Sequence, residues 1–160
     1  MRRLTQFRIE GKLIRLAIMC AVALLMLAAC GKNKPTPKER VLAVFEQQQE
    51  RILRKIEHYL AGDEVTWDNL EGVPWVHTYH TYRGELIEFE CIAEGILTSS
   101  FQAGFYYTPD DEPAYVGWFL GNRLDELVED GDGWSYSDGT DNRYYTERIC
   151  ENFYYYTESN

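Results

Sequence analysis

From Glu39 to Leu60, apolar side chains recur at spacings of three and four residues, the period of an amphipathic helix. The apolar stripe comprises Val41, Leu42, Phe45, Ile52, Leu53, Ile56, Tyr59 and Leu60. Gly62 is a natural stop for this helix. The stripe lasts barely three heptads, which argues against a coiled coil. We therefore predict one helix of about six turns that lies across a sheet.

After Gly72 the pattern changes to the alternation and aromatic richness typical of strands. Strands are predicted over 73–82, 85–97, 101–107 and 114–120, with a tight turn at Arg83-Gly84 and another turn over 108–113. Four strands in this order indicate an antiparallel meander. The C-terminal third is less regular. There the sequence fits a short helix or irregular strand over 122–129, loops over 131–142 and a final strand over 148–156.

These elements predict an α+β fold, in which one long N-terminal amphipathic helix packs on an antiparallel β-sheet of about four to five strands. The aromatic groups at 105–107 and 153–156 would have half of their side chains in the core. The other half would either pack across strands or form an exposed recognition surface rich in tyrosine.

The first 31 residues contain a pattern that predicts where the protein is located. Basic residues precede an uncharged run, 17–27, that is shorter than the roughly 20 residues of a membrane-spanning helix. Leu27-Ala28-Ala29-Cys30-Gly31 follows directly. This pattern resembles the lipobox of type II signal peptides, so the chain is identified as similar to bacterial lipoproteins. An uncleaved anchor and an ordinary secretory signal are the alternatives.

The resemblance implies cleavage between Ala29 and Cys30 and a diacylglycerol joined to the Cys30 sulfur. The mature protein would then be lipid-anchored on the extracytoplasmic face of the cell membrane. The resemblance to lipoproteins divides the chain into a signal peptide (1–29), a lipidated linker (30–38) and a single globular domain (39–160). That domain resembles only small uncharacterised envelope lipoproteins, a resemblance that implies no activity.

The excess of acidic side chains limits the classes of macromolecule that the protein can bind. Residues 31–160 carry 11 basic and 25 acidic side chains, and residues 62–160 carry four arginines, no lysine and 21 acids. Nucleic-acid binding needs a basic footprint, so we exclude it. The excess of acids fits a protein partner with a basic surface, or a domain that is simply kept soluble.

Two cysteines, Cys91 and Cys150, follow the lipobox. Outside the cytoplasm a disulfide between them could persist. The sequence gives no distance between the two residues, so a disulfide and two free thiols both remain open.

Metal ligands are weakly indicated. His77 and His80 are three residues apart in a predicted strand, so they point to opposite faces and cannot share an ion. Acidic turns contain Asp130, Asp132, Asp138 and Asp141, but the fifth and sixth positions of an EF-hand loop starting at Asp130 would be Trp134 and Ser135. A non-standard calcium site is the weak alternative; otherwise we expect no metal and no cofactor beyond the lipid on Cys30.

Catalytic motifs are equally sparse. The sequence contains no G-x-S-x-G, P-loop, H-E-x-x-H or C-x-x-C pattern. Glu88 and Glu90 share one face of a predicted strand, and paired carboxylates can catalyse glycoside hydrolysis. However, acidic residues two positions apart on a strand more often form its solvent-exposed face. We therefore predict a non-catalytic binding or interaction module, including an inhibitor or immunity-type protein that blocks a basic partner. The alternatives are a carboxylate-dependent hydrolase of cell-envelope polymers and a structural envelope assembly factor.

Overall fold

A computed structural model describes residues 34–81, 84–96, 99–116 and 127–160. The described residues form one helix and seven strands. The elements are α1 (Pro37–Leu60), β1 (Trp75–Thr81), β2 (Gly84–Ile96), β3 (Ser99–Tyr107), β4 (Val128–Asp130), β5 (Gly133–Ser137), β6 (Arg143–Cys150) and β7 (Phe153–Ser159). The predicted signal peptide, the predicted cleavage site and Cys30 lie outside the described residues, as does Arg83 of the predicted turn.

Helix α1 begins earlier than predicted. Thr36 is its N-cap and forms a capping box with Glu39: the Thr36 hydroxyl accepts from the Glu39 amide at 3.2 Å, and the Thr36 amide donates to the Glu39 carboxylate at 2.7 Å. Pro37 occupies the first helical position, where its missing N–H costs nothing. Pro37 and Lys38 therefore belong to the helix, and assigning them to the linker was wrong. The helix also begins 36 residues into the chain, so it is not N-terminal in the whole sequence.

The end of the helix is as predicted, with Ala61 as C-cap and Gly62 following at a φ of +86°. Among the described residues, α1 included, no helix is both long enough and apolar enough to cross a bilayer.

All seven strands form one antiparallel sheet in the order β1-β2-β3-β7-β6-β5-β4. It consists of two meanders, β1–β3 and β4–β7, joined where β7 pairs with β3. The predicted α+β class and antiparallel pairing are confirmed, and three of the four strands of the predicted meander form as β1–β3. The predicted number of four to five strands was wrong.

Two segments account for most of the difference. The predicted strand over 148–156 is a hairpin of β6 and β7, because Asn152 adopts a left-handed φ of 65° and reverses the chain. Residues predicted to form loops around Trp134 instead form β5. Conversely, residues 114–116 of the predicted strand over 114–120 have no strand pairing, and 117–120 lie outside the described residues.

One face of the sheet packs against α1. Phe45 of the helix contacts Phe105 of β3 and Phe153 of β7, with ring centroids 5.2 and 5.1 Å apart. Phe89 of β2 stacks on Phe105 at 4.9 Å. This core explains the helical stripe and leaves the other face of β1, β2, β3 and β7 away from the helix.

That opposite face is rich in buried tyrosine. Tyr106 and Tyr154 stack with centroids 5.4 Å apart, and Tyr144 and Tyr156 stack at 6.1 Å. All four are at most 2% exposed. Cross-strand packing, and not an exposed recognition surface, is therefore the role of most of these tyrosines.

Candidate functional site

The strand register brings three aromatic or imidazole side chains onto the same face as two carboxylates. In the β1–β2 pair, Trp75 lies opposite Glu90 and His77 lies opposite Glu88. Residues directly opposite each other in an antiparallel pair share a face. Tyr79 is two residues beyond His77 and shares that face as well. The face opposite α1 therefore combines acids, aromatic rings and an imidazole on two neighbouring strands.

Glu88 is buried in this face, with 1% of its surface exposed. Tyr79 donates its hydroxyl to one Glu88 oxygen at 2.6 Å, and Tyr156 donates to the other. The prediction that Glu88 and Glu90 lie on the wet side of β2 was wrong, because Glu90 is also only 4% exposed. The tyrosine hydroxyls make this burial tolerable because each of them satisfies one carboxyl oxygen of Glu88.

A third carboxylate, Glu158 of β7, is 4% exposed and accepts the hydroxyl of Tyr115. Tyr115 belongs to the segment 114–116, which covers the centre of the face. Ala114 anchors that segment: its amide donates to the Tyr106 hydroxyl at 2.8 Å, and its carbonyl accepts from the Tyr144 hydroxyl at 2.9 Å. These bonds explain why 114–116 is buried without joining the sheet.

Beside this cover the face opens into a cleft of about 340 Å³, which we call the Trp75 cleft. It is lined by Trp75, His77, Glu90 and Gln102. Trp75 is 60% exposed, whereas Glu90 is buried. A volume of this order suits a small ligand or a single side chain of a partner.

Electrostatics distinguish the two acids of β2. Burial, and then the neighbouring carboxylate of Glu88, raises the pKa of Glu90, while the charge that His77 can carry acts in the opposite direction. Gln102 adds a second acceptor, because its side-chain oxygen is buried and accepts no hydrogen bond from any described residue. The cleft therefore presents the buried carboxylate of Glu90 beside the Gln102 oxygen, an acceptor with no donor among the described residues.

A glycine makes this arrangement possible. Gly104 of β3 lies opposite both Glu90 of β2 and Tyr156 of β7. A Cβ at Gly104 would lie 2.2 Å from the Phe89 carbonyl oxygen and 2.9 Å from the Tyr156 ring. The missing side chain lets the Tyr156 ring pass over β3 and reach Glu88 on β2.

The histidine prediction is confirmed: His77 lines the Trp75 cleft, and His80 contacts Glu85, which also accepts the hydroxyl of Tyr59 from the helix side. The two imidazoles therefore lie on opposite faces of β1. The third histidine, His58, lies in the last turn of α1 and contacts Asp63 at 2.7 Å, as expected for a structural role.

The four calcium candidates do not come together. Asp130 ends β4 and Asp132 lies in the β4–β5 turn, whereas Asp138 and Asp141 lie in the β5–β6 turn. The two pairs are therefore at opposite ends of β5, which is about 13 Å long. Asp138 accepts from the Thr140 amide at 2.8 Å, so it stabilises its own loop. Within the described ranges, no group of three or more His, Cys, Asp or Glu side chains could hold a metal ion.

The disulfide left open by the sequence does not form here, since Cys91 and Cys150 are both free thiols. Cys91 lies on β2 and Cys150 on β6, with β3 and β7 between them. Three strand spacings separate their backbones by about 14 Å, whereas a disulfide needs Cα atoms within about 7 Å. Burial raises the pKa of the Cys91 thiol to about 12, which also makes it a poor nucleophile.

Glu88 and Glu90 were candidates from the sequence alone, whereas Trp75, Gln102 and Gly104 were not predicted to belong to the same site. The register of the β1–β2 hairpin could have identified Trp75. Aligning Trp75 with Glu90 across the turn near Gly84 places the indole beside the carboxylate. Gln102 could not be found this way, because the bulge between Glu90 and Ile92 shifts the β2–β3 register.

The chain matches no protein-family model, no curated protein and no solved structure.

Proposed function

We propose that the protein is a lipid-anchored, extracytoplasmic binding module without catalytic activity, which engages a partner with a basic surface. The Trp75 cleft carries this proposal. It combines an exposed indole with buried acceptors on a rigid sheet face, the arrangement of a recognition pocket. The anchor is proposed from the lipobox at Leu27–Cys30 and rests on the sequence.

The charge distribution supports a basic partner. Residues 62–160, which supply the whole sheet, have 21 acids against four arginines. Three buried carboxylates, Glu88, Glu90 and Glu158, lie on the same face of the sheet as the cleft. Two of them, Glu88 and Glu158, accept tyrosine hydroxyls, which are neutral donors and add no positive charge of their own. A cationic surface is the complement that such a face attracts.

Mass spectrometry of the mature N terminus tests the anchor. The expected product of the wild-type protein begins at Cys30 and carries the mass of the diacylglyceryl modification. Cys30→Ser should abolish both the lipid and the cut before residue 30, because only a thiol forms the thioether. An unmodified cysteine in the wild-type product would contradict the anchor.

A pull-down from envelope extract tests the partner. The full-length protein is expected to retain a basic protein at low salt and to release it at high salt, because screening weakens attraction between exposed charges. A charge-reversed control, Glu46→Lys with Glu50→Lys on the exposed side of α1, should retain the same protein. The proposal fails if no protein is captured or if retention is insensitive to salt.

The hydrolase alternative has one observation in its favour, the raised pKa of Glu90, which suits a general acid. Glu88 does not suit the second role, because both of its oxygens accept tyrosine hydroxyls in the buried face. A hydrolase would therefore have to work through Glu90 alone. It predicts that Glu90→Gln abolishes hydrolysis of an envelope polymer while the unfolding midpoint stays unchanged.

A further inference from the structure

We propose that the Trp75 cleft binds an organic cation, the ammonium or guanidinium head of a basic side chain or of a free amine. This inference rests on the proposed function and names the group that the site recognises.

The indole supplies the first element of such a site. Trp75 is 60% exposed and is the most exposed aromatic side chain in the part of the chain that the structure describes. Its ring borders the cleft opposite Glu90. A cation placed over an indole face within about 6 Å of its centroid is attracted by the ring quadrupole.

The acceptors supply the second element. Glu90 and the Gln102 side-chain oxygen line the same cleft, and the Gln102 oxygen is buried without a donor among the described residues. A buried acceptor that loses its water without gaining a donor is costly. An ammonium group carries three N–H donors and a guanidinium five, so either can satisfy both oxygens and neutralise Glu90.

Other ligand classes fit less well. A metal ion would find only His77 and Glu90 as strong ligands in the cleft, and no group of three such ligands exists among the residues described. An anion would meet the carboxylates of Glu88 and Glu90 on one face. A neutral saccharide could stack on Trp75 but carries no positive charge to pair with Glu90.

Calorimetric titration of the full-length protein in nonionic detergent tests the inference. The probes are N-acetyl-lysine amide, its uncharged counterpart N-acetyl-norleucine amide, spermidine and N-acetylglucosamine. We expect the lysine probe to saturate one site with a dissociation constant of about 1 mM, the range for a ligand of about 13 heavy atoms. The norleucine probe and the saccharide should not bind measurably.

Matched variants assign the binding to the cleft. Trp75→Ala and Glu90→Gln should each weaken binding of the lysine probe at least tenfold, whereas Trp75→Phe should retain most of it because the aromatic face remains. Glu94→Gln is the control, since Glu94 lies on the same strand with its side chain 64% exposed. Circular dichroism and the thermal midpoint establish that each variant is folded.

Equal binding of the norleucine probe or the saccharide would overturn the inference, as would full binding by both Trp75→Ala and Glu90→Gln. If these variants still retain the basic protein in the pull-down, the proposed function stands and the cleft assignment fails. If the lysine probe and spermidine bind but no protein is captured, the cation is a diffusible amine and the proposed protein partner fails.

Discussion

Replacing Glu88 by alanine is expected to lower the free energy of unfolding by about 3 kcal/mol or more. The substitution leaves the hydroxyls of Tyr79 and Tyr156 without their acceptor, and each buried hydroxyl without a partner costs about 1–3 kcal/mol. It also leaves a cavity between strands β1, β2 and β7, because Glu88 is 1% exposed. Chemical denaturation of the purified protein measures this loss.

Two further substitutions separate the hydrogen bonds from other effects. Glu88→Gln keeps one acceptor oxygen and most of the volume, so it should cost less than Glu88→Ala. Glu94→Ala removes an exposed carboxylate of β2 that pairs with Arg40 at 3.4 Å, and it should change stability by less than about 1 kcal/mol. If Glu88→Ala were no more destabilising than Glu94→Ala, the account of the buried tyrosine–carboxylate face would be wrong.

Phe105→Ala is expected to cost about 3–5 kcal/mol, the usual loss for removing a buried phenylalanine. The Phe105 ring joins the two layers of the fold, because it contacts Phe45 of the helix at 5.2 Å and stacks on Phe89 at 4.9 Å. It is 0% exposed. Thermal or chemical unfolding, followed by circular dichroism, measures the loss.

Leu60→Ala is the matched control for this substitution. Leu60 ends α1 with 47% of its surface exposed, so truncating it should have a small effect. A loss at Phe105 as small as that at Leu60 would mean that the helix does not pack on the sheet through the Phe45–Phe105 contact.

The helix and the first three strands could be predicted because their apolar periods are regular and their turn residues stand between them. The capping box at Thr36–Glu39 was also visible in the sequence, but the two prolines around it favoured an extended linker. Strand β5 was missed because glycine, serine and acids flank Trp134, a composition typical of loops. There the pairing with β6 outweighs local propensity.

The site was harder to predict than the fold. Alternation placed Glu88 and Glu90 on one face correctly, but the polarity of the two side chains suggested a solvent-facing surface. The face is covered instead by residues 114–116 and by tyrosines from β3, β6 and β7. The burial depends on contacts between residues such as Tyr156 and Glu88, 68 positions apart, and no local pattern reports such contacts.

Site-specific photocrosslinking in intact cells tests whether the Trp75 cleft faces a basic envelope protein. A benzophenone amino acid replaces either Pro74, an exposed residue beside Trp75, or Glu50, an exposed residue of α1. We expect position 74 to crosslink to a basic envelope protein and the adduct to disappear in the Trp75→Ala background. Position 50 should give no such adduct. A crosslink to that protein from position 50 and none from position 74 would contradict this expectation.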